Sequence, residues 1–237
     1  MRPSLPPPGD TVPARGRSVR SFVIRAGRTT DAQRRALTEL WPRFGVDFTE
    51  EPLDLDALFA RRAPREAEIG FGNGEHLLAL ALRHPDRDFL GIEVHPPGVG
   101  RLLLALEAAQ LTNVRVICHD AVQVLDAQIP SGSLAEIRIL FPDPWPKKRH
   151  HKRRLIQPDF AACLADRLMR GGRLRLATDW EPYAQYMLQV LNACTLLENS
   201  AAGGSFADES PERTPTRFEQ RGRRLGHDVW ELAFRRR

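Results

Sequence analysis

Residues 67–74 read AEIGFGNG, and this stretch decides the fold. An apolar run stops on three glycines at alternate positions, Gly70, Gly72 and Gly74. Such a run reads as a strand feeding a tight turn, because glycine enters left-handed backbone without steric cost. EHLLALALRH (75–84) follows, apolar nearly all round, and predicts a buried helix. The alternation then repeats. DFLGIEV (88–94) predicts a strand, GVGRLLLALEAAQ (98–110) a helix, VRVICH (114–119) a strand, AVQVLDAQI (121–129) a helix and LAEIRILF (134–141) a strand. DFAACLADRLM (159–169) predicts a helix stopped by Gly171 and Gly172. RLRLAT (173–178) predicts a strand, EPYAQYMLQVL (181–191) a helix with Pro182 in its first turn, and DVWELAF (228–234) a closing strand. Strand and helix in alternation mean parallel strands with crossover helices, an α/β fold with a doubly wound sheet.

The totals bound what this sheet can serve. The chain has 237 residues, a net charge of +5 and 42% hydrophobic content, which suits one α/β domain with its own core. No apolar stretch approaches the roughly 18 residues of a membrane span, and no apolar segment follows Arg2 as a secretory signal requires. Cys118, Cys163 and Cys194 are too scattered for a disulfide framework or a metal motif. These features predict a cytoplasmic protein without membrane or metal. Its basic balance predicts an anionic partner such as nucleic acid. Residues 1–20 are proline-rich and arginine-rich and are expected to be a disordered segment, with 21–237 forming a single domain.

In an open parallel sheet the ligand sits beyond the carboxyl ends of the strands. Acids cluster there: Glu68 at the first strand, Glu93 after the second, Asp120 after the third and Asp143 after the fourth. Glu93 lies 93 − 70 = 23 positions beyond Gly70, near the spacing of about 20 at which an acid accepts hydrogen bonds from ribose hydroxyls. A dinucleotide would bring its pyrophosphate to the helix start, where Glu75 repels it, and the third glycine falls one place early for that motif. S-adenosylmethionine carries a positive sulfonium and no phosphate, and the acidic rim suits it. Gly70, Gly72 and Gly74 would shape its loop, and Asp120 would meet the adenine amino group.

The fourth strand runs into FPDPWPKKRHHKRR (141–154). Three prolines stiffen the turn around Asp143, Trp145 offers a stacking face, and residues 147–154 are all Lys, Arg or His. This composition reads as a pocket that takes one base of a folded polynucleotide and grips the phosphates beside it. Three other readings compete: methylation of an exocyclic amine of an RNA base, a non-catalytic RNA-binding module, and an NAD-dependent dehydrogenase.

EIGFGNGEHLLALA (68–81), GIEVH (91–95), FPDPWPKKRHHKRRLIQPDF (141–160), ATDWEPYA (177–184) and TPTRFEQRGRRLGHDVWELAF (214–234), with RSFVIRAGR (20–28), resemble the bacterial tRNA (guanine-N7)-methyltransferase family. The likeness runs from about residue 17 to residue 234. It implies a Rossmann-like class I methyltransferase fold, its mostly parallel sheet closed by an antiparallel C-terminal strand. It implies methyl transfer from S-adenosylmethionine to N7 of a guanosine in the variable loop of tRNA. Carried over residue by residue, Glu68, Glu93, Asp120 and Asp143 would bind the cofactor, and Asp143 is also the candidate catalytic residue. Lys147, Asp179, Thr216, Arg217, Phe218 and Glu219 would contact the substrate. Arg149, His150, His151, Lys152, Arg153 and Arg154 would touch RNA. Oligomeric state is left open between monomer and homodimer.

Overall fold

The structure, a computed structural model, describes residues 20–22, 29–210, 213, 219 and 228–237. The expected N-terminal segment therefore lies, up to residue 19, outside the described residues. Helix α1 (Asp31–Glu39) begins on Thr30, whose hydroxyl accepts from Gln33 N while Gln33 reaches back to the Thr30 amide, a reciprocal cap. Then come α2 (Trp41–Phe44), β1 (Gly45–Val46) and α3 (Leu55–Phe59). The expected alternation follows: β2 (Arg65–Ile69), α4 (Glu75–Arg83), β3 (Asp88–Ile92), α5 (Pro96–Ala108), β4 (Val114–Ile117) and α6 (Ala121–Gln123), which widens into a π turn over Val124–Gln128. The second half holds β5 (Leu134–Leu140), α7 (Pro158–Arg167), β6 (Leu168–Thr178), α8 (Glu181–Ala193), β7 (Leu197–Asn199) and β8 (Trp230–Arg236).

The strands form one sheet in the order β1-β4-β3-β2-β5-β6-β8-β7. Strands β1 to β6 run parallel, and β8 is antiparallel to both β6 and β7. The chain winds one way from β2 through β4 and the other way from β5 to β6. The switch between β2 and β5 opens the crevice where such sheets bind ligands. Register is tight there, with Ile69 opposite both Ile92 and Ile139, and Ile92 opposite Ile117.

One helix thus ends earlier than its sequence predicts. α7 stops at Arg167, and Leu168 turns extended to pair with Leu134 as the first residue of β6. Leu168 is fully buried, and the gain from burying its side chain in the sheet core outweighs one more helical turn. Gly171 and Gly172 lie in a bulge of that strand, where a Cβ on Gly172 would fall 2.8 Å from Met169 O. The glycines bend a strand and do not end a helix.

Apolar side chains alternate along the central strands. Ile137 and Ile139 of β5, Leu174 and Leu176 of β6, and Leu232 and Phe234 of β8 pack with Phe160, Leu164, Tyr183 and Met187 of α7 and α8. On the far side of the sheet, Phe89, Val114 and Val116 pack with Leu77, Leu80, Leu102 and Leu103 of α4 and α5. The intervening positions of β2, β5 and β6 are charged instead. Arg138 bridges Glu66 and Glu136 (2.7 Å to Glu136), Arg173 reaches Glu136 at 2.6 Å, and Arg87 reaches Glu66 at 2.7 Å.

Glu66, Glu136 and Arg138 are all buried. Removing the shared cation leaves two carboxylates without it, so Arg138→Met is expected to destabilise the fold by about 3–5 kcal/mol in urea denaturation. Burial alone would raise the Glu66 pKa, but Arg138 and Arg87 outweigh it and hold the carboxyl below its usual range. Its contribution to stability is therefore complete above the unfolded glutamate value of about 4.3 and is lost as pH falls through the lower folded value.

Candidate active site

Gly70, Gly72 and Gly74 all hold left-handed backbone, at φ +73°, +59° and +77°. Gly70 N–H donates to Ile92 O (2.8 Å) and Gly72 N–H to Glu93 Oε2 (2.8 Å), which ties the turn to the end of β3. A Cβ on Gly70 or Gly72 would meet nothing within 4 Å, so open space lies beside the loop. The loop is closed on its other side: a Cβ on Gly98 of α5 would stand 2.1 Å from Gly72 O. Only glycine fits that approach.

The predicted acids share this edge, each in its own setting. Glu93 Oε1 accepts from Val94 N (2.7 Å) and His95 N (3.0 Å), so three backbone amides orient the carboxylate. Asp120 caps α6 by accepting from Val122 N (2.9 Å). Glu68 is buried and lies 2.7 Å from Nδ1 of His76, which is buried with it. Burial, and secondarily the Glu93 carboxylate, push the Cys118 thiol up to about 11, so it stays protonated at neutral pH and is no nucleophile.

Asp143 is exposed on the loop across the switch point. Phe141 and Trp145 on either side hold φ +52° and +45°, a conformation that costs of order 1–3 kcal/mol for a non-glycine residue. Their surroundings hold them there. Phe141 N–H donates to Ala177 O (2.8 Å), and the Arg213 guanidinium lies 5.8 Å from the Phe141 ring centre. Trp145 Nε1–H donates to Ser21 O (3.0 Å), and Arg153 covers the ring at 4.9 Å. The indole expected as an open stacking face thus already carries a guanidinium.

The basic run forms a 3₁₀ helix over Lys148–Arg153. Lys147, Lys148, Arg149 and Lys152 are exposed, while His150, His151 and Arg153 are half-buried. Partial desolvation and then the cations Arg149, Arg153, Lys147 and Lys152 lower the His150 pKa. Arg154 departs from its predicted setting: it is only 2% exposed, and its Nε–H donates to Pro144 O (3.0 Å). In a 3₁₀ helix, side chains three apart eclipse, and the row Lys148, His151, Arg154 leads from solvent into the core. Arg154, expected to touch RNA, thus has its guanidinium directed inward.

Asp179 is half-buried just beyond β6, with Trp180 exposed beside it. Glu219 is fully buried and accepts from both Nη atoms of Arg213 (2.9 Å for Nη2). Arg213 Nε–H donates to Glu231 Oε1 (2.6 Å) on β8, so the Glu219 carboxylate is pinned to the sheet. Thr216, Arg217 and Phe218 lie outside the described residues. Parallel register therefore brings Gly70–Gly74, Glu93, Asp120, Asp143 and Asp179 to one edge, with Lys147 and Arg149 following Asp143 in the chain. His76 and Arg213 had no signal in the sequence, because their partners lie across a turn or on another strand. No group of three His, Cys, Asp or Glu among the described residues could hold a metal, and no helix among them is long and apolar enough to cross a membrane.

The fold is that of the Rossmann-like class I methyltransferases. The aminoglycoside resistance methyltransferase NpmB1 superposes with a TM-score of 0.54 at 14% identity, covering 78% of this chain and 92% of that one. The 16S rRNA methyltransferase KamB superposes at 0.52 and 14% identity, covering 92% and 98%. A family model described as "Putative methyltransferase" matches residues 62–232. The chain belongs to the tRNA (guanine-N(7)-)-methyltransferase family. It is 58% identical to the member from Leifsonia xyli subsp. xyli, over 91% of this chain and 95% of that protein. It is 56% identical to the member from Methylococcus capsulatus, over 93% and 95%.

The loop glycines separate two costs. Gly70→Ala meets open space but must hold a Cβ residue at φ +73°, so it is expected to destabilise by about 1–2 kcal/mol. A Cβ on Gly74 would also fall 2.6 Å from Leu102 Cδ1, and Gly74→Ala is expected to cost about 2–4 kcal/mol. Chemical denaturation of the two variants measures the difference.

Proposed function

We propose that this protein methylates N7 of a guanosine in the variable loop of tRNA, with S-adenosylmethionine as donor, and that it acts in the cytoplasm as a single catalytic domain over residues 21–237. The observation that carries the reading is the crevice between β2 and β5. An acid-rimmed glycine loop stands on one side and the Asp143 loop on the other, with an exposed basic helix next to it. The names of the relatives support its substrate and atom, tRNA and guanine N7.

The residues present fit the donor. Glu93 is held by backbone amides alone, with two on Oε1 and one on Oε2, which leaves Oε2 able to take a ribose hydroxyl as well. Asp120 would accept from the adenine amino group, and the open space beside Gly70 and Gly72 admits a ligand against the backbone. Glu68 adds negative charge behind the loop, with His76 fixing its orientation. When bound, S-adenosylmethionine supplies an electrophilic methyl on a sulfonium.

Guanine N7 bears a lone pair and no proton. No base is needed to create the nucleophile, and the protein's work is alignment and electrostatics. Asp143 stabilises the positive charge that grows on the purine or fixes the base edge. Lys147 and Asp179 flank the base; the Glu219 carboxylate, expected to accept from guanine N1 and N2 hydrogens, is fully buried on Arg213 and must leave that pair to reach a base. Thr216, Arg217 and Phe218 belong to the same substrate segment. Arg149, His150, His151, Lys152 and Arg153 hold phosphates.

Digesting tRNA after incubation with labelled S-adenosylmethionine tests the atom, and the label is expected in 7-methylguanosine. Label on an exocyclic amine would replace this reading with the rival chemistry, and tRNA binding without label would favour the binding module. Asp143→Asn is expected to lower kcat about 100-fold. With no proton to remove, the wild-type rate should stay flat as pH falls from about 8 to 6. With about five phosphate contacts, raising salt from ~50 to ~200 mM should weaken tRNA binding a few hundred-fold, as a filter-binding titration reads directly.

A further inference from the structure

We propose that Arg154 is the positioning residue that holds the Asp143 loop in its working shape and couples it to the helix that follows Asp179. The inference rests on the functional reading above, because it assigns that reading's catalytic loop its support.

The loop cannot easily hold itself. Pro142, Pro144 and Pro146 have no N–H to donate, and Trp145 stands at positive φ directly before a proline, where sterics favour extended backbone. Its carbonyls remain as handles, and Arg154 takes the one at Pro144. That peptide joins Pro144 to Trp145, so the bond fixes the strained residue and the chain just beyond Asp143.

The guanidinium is itself fixed. It lies 4.9 Å from the Tyr183 ring centre and 5.2 Å from that of Tyr186, and Nη2 donates to His151 Nε2 at 3.1 Å. Both tyrosines belong to α8, which begins two residues after Asp179. A lattice of hydrogen bonds closes the unit. Gln157 Nε2 donates to Arg154 O (3.2 Å), Tyr186 Oη donates to Gln157 Oε1 (2.6 Å), and Ile156 N–H donates to Tyr183 Oη (3.2 Å). The loop after β5 and the helix after β6 are thereby joined through one planar cation. An ammonium has neither the plane to lie against two ring faces nor the fixed fork to reach Pro144 O and His151 together.

Arg154→Lys tests this against a phosphate contact. The expected result is a kcat 10- to 100-fold lower, a tRNA KM within about twofold of wild type, and an unchanged slope of log binding constant against log salt. Lys152→Gln, on the exposed face, should lower that slope by about 1. Tyr186→Leu removes one of the two rings against the guanidinium and should reproduce the Arg154→Lys pattern, which keeps the test available if Arg154→Lys does not fold. A ¹⁹F spectrum of 5-fluorotryptophan protein, with Trp145 assigned by Trp145→Phe, should show the Trp145 resonance shifted or broadened in Arg154→Lys while Trp41 stays in place. A salt slope reduced by about 1 with kcat intact would make Arg154 a phosphate contact, and an unmoved Trp145 resonance would show that it does not hold the loop. If wild-type protein transfers no methyl to tRNA, the functional reading falls, and the Trp145 resonance alone still decides the clamp.

Discussion

Everything at this site depends on parallel register. Ile69, Ile92, Ile117 and Ile139 lie opposite one another on neighbouring strands, so the chain must leave each strand at the same edge. Parallel strands need a crossover after each exit, and every crossover starts with a loop at that edge. The acids and the glycine turn therefore converge although they are spread over more than a hundred positions. The Gly72–Glu93 hydrogen bond then locks the first loop to the second, and the Arg213–Glu219 and Arg213–Glu231 pairs fasten the C-terminal segment to the same sheet.

The local devices are of two kinds. On the glycine side, backbone does the shaping: left-handed glycines, amides aimed at a carboxylate, and a helix start packed where no Cβ fits. On the Asp143 side, side chains do it. Two aromatic residues sit in left-handed backbone, held by Arg153, Arg154, Arg213 and a bond from Trp145 to Ser21. Cations over rings thus recur around the Asp143 loop. The same residue type serves both faces of the basic run, outward for charge and inward for shape.

Much of this was legible in the sequence for a physical reason. The period-two pattern of LAEIRILF (134–141) and the apolar run FLGI (89–92) report burial directly, and the order of elements then fixes a parallel sheet. The acids were readable because each stands just after, or at the end of, such a run. Other features were hidden. Of the helices before residue 64, α2 and α3 span about one turn each and are too short to show a period. Gly171 and Gly172 carry a helix-stop signal that the burial of Leu168 pre-empts. Nothing in KKRHHKRR (147–154) says which cation turns inward, because the partners of Arg154 come from α8 and from a proline carbonyl ten positions back.

The central claim is that this edge presents one guanine of tRNA, N7 foremost, to a methyl donor. Reduction and chemical cleavage of tRNA at 7-methylguanosine, after incubation with the purified protein and S-adenosylmethionine, tests it most directly. A single new cut in the variable loop is the predicted result, absent when donor or protein is omitted. Label in the RNA with no cut, or cuts scattered among many guanosines, would contradict the account.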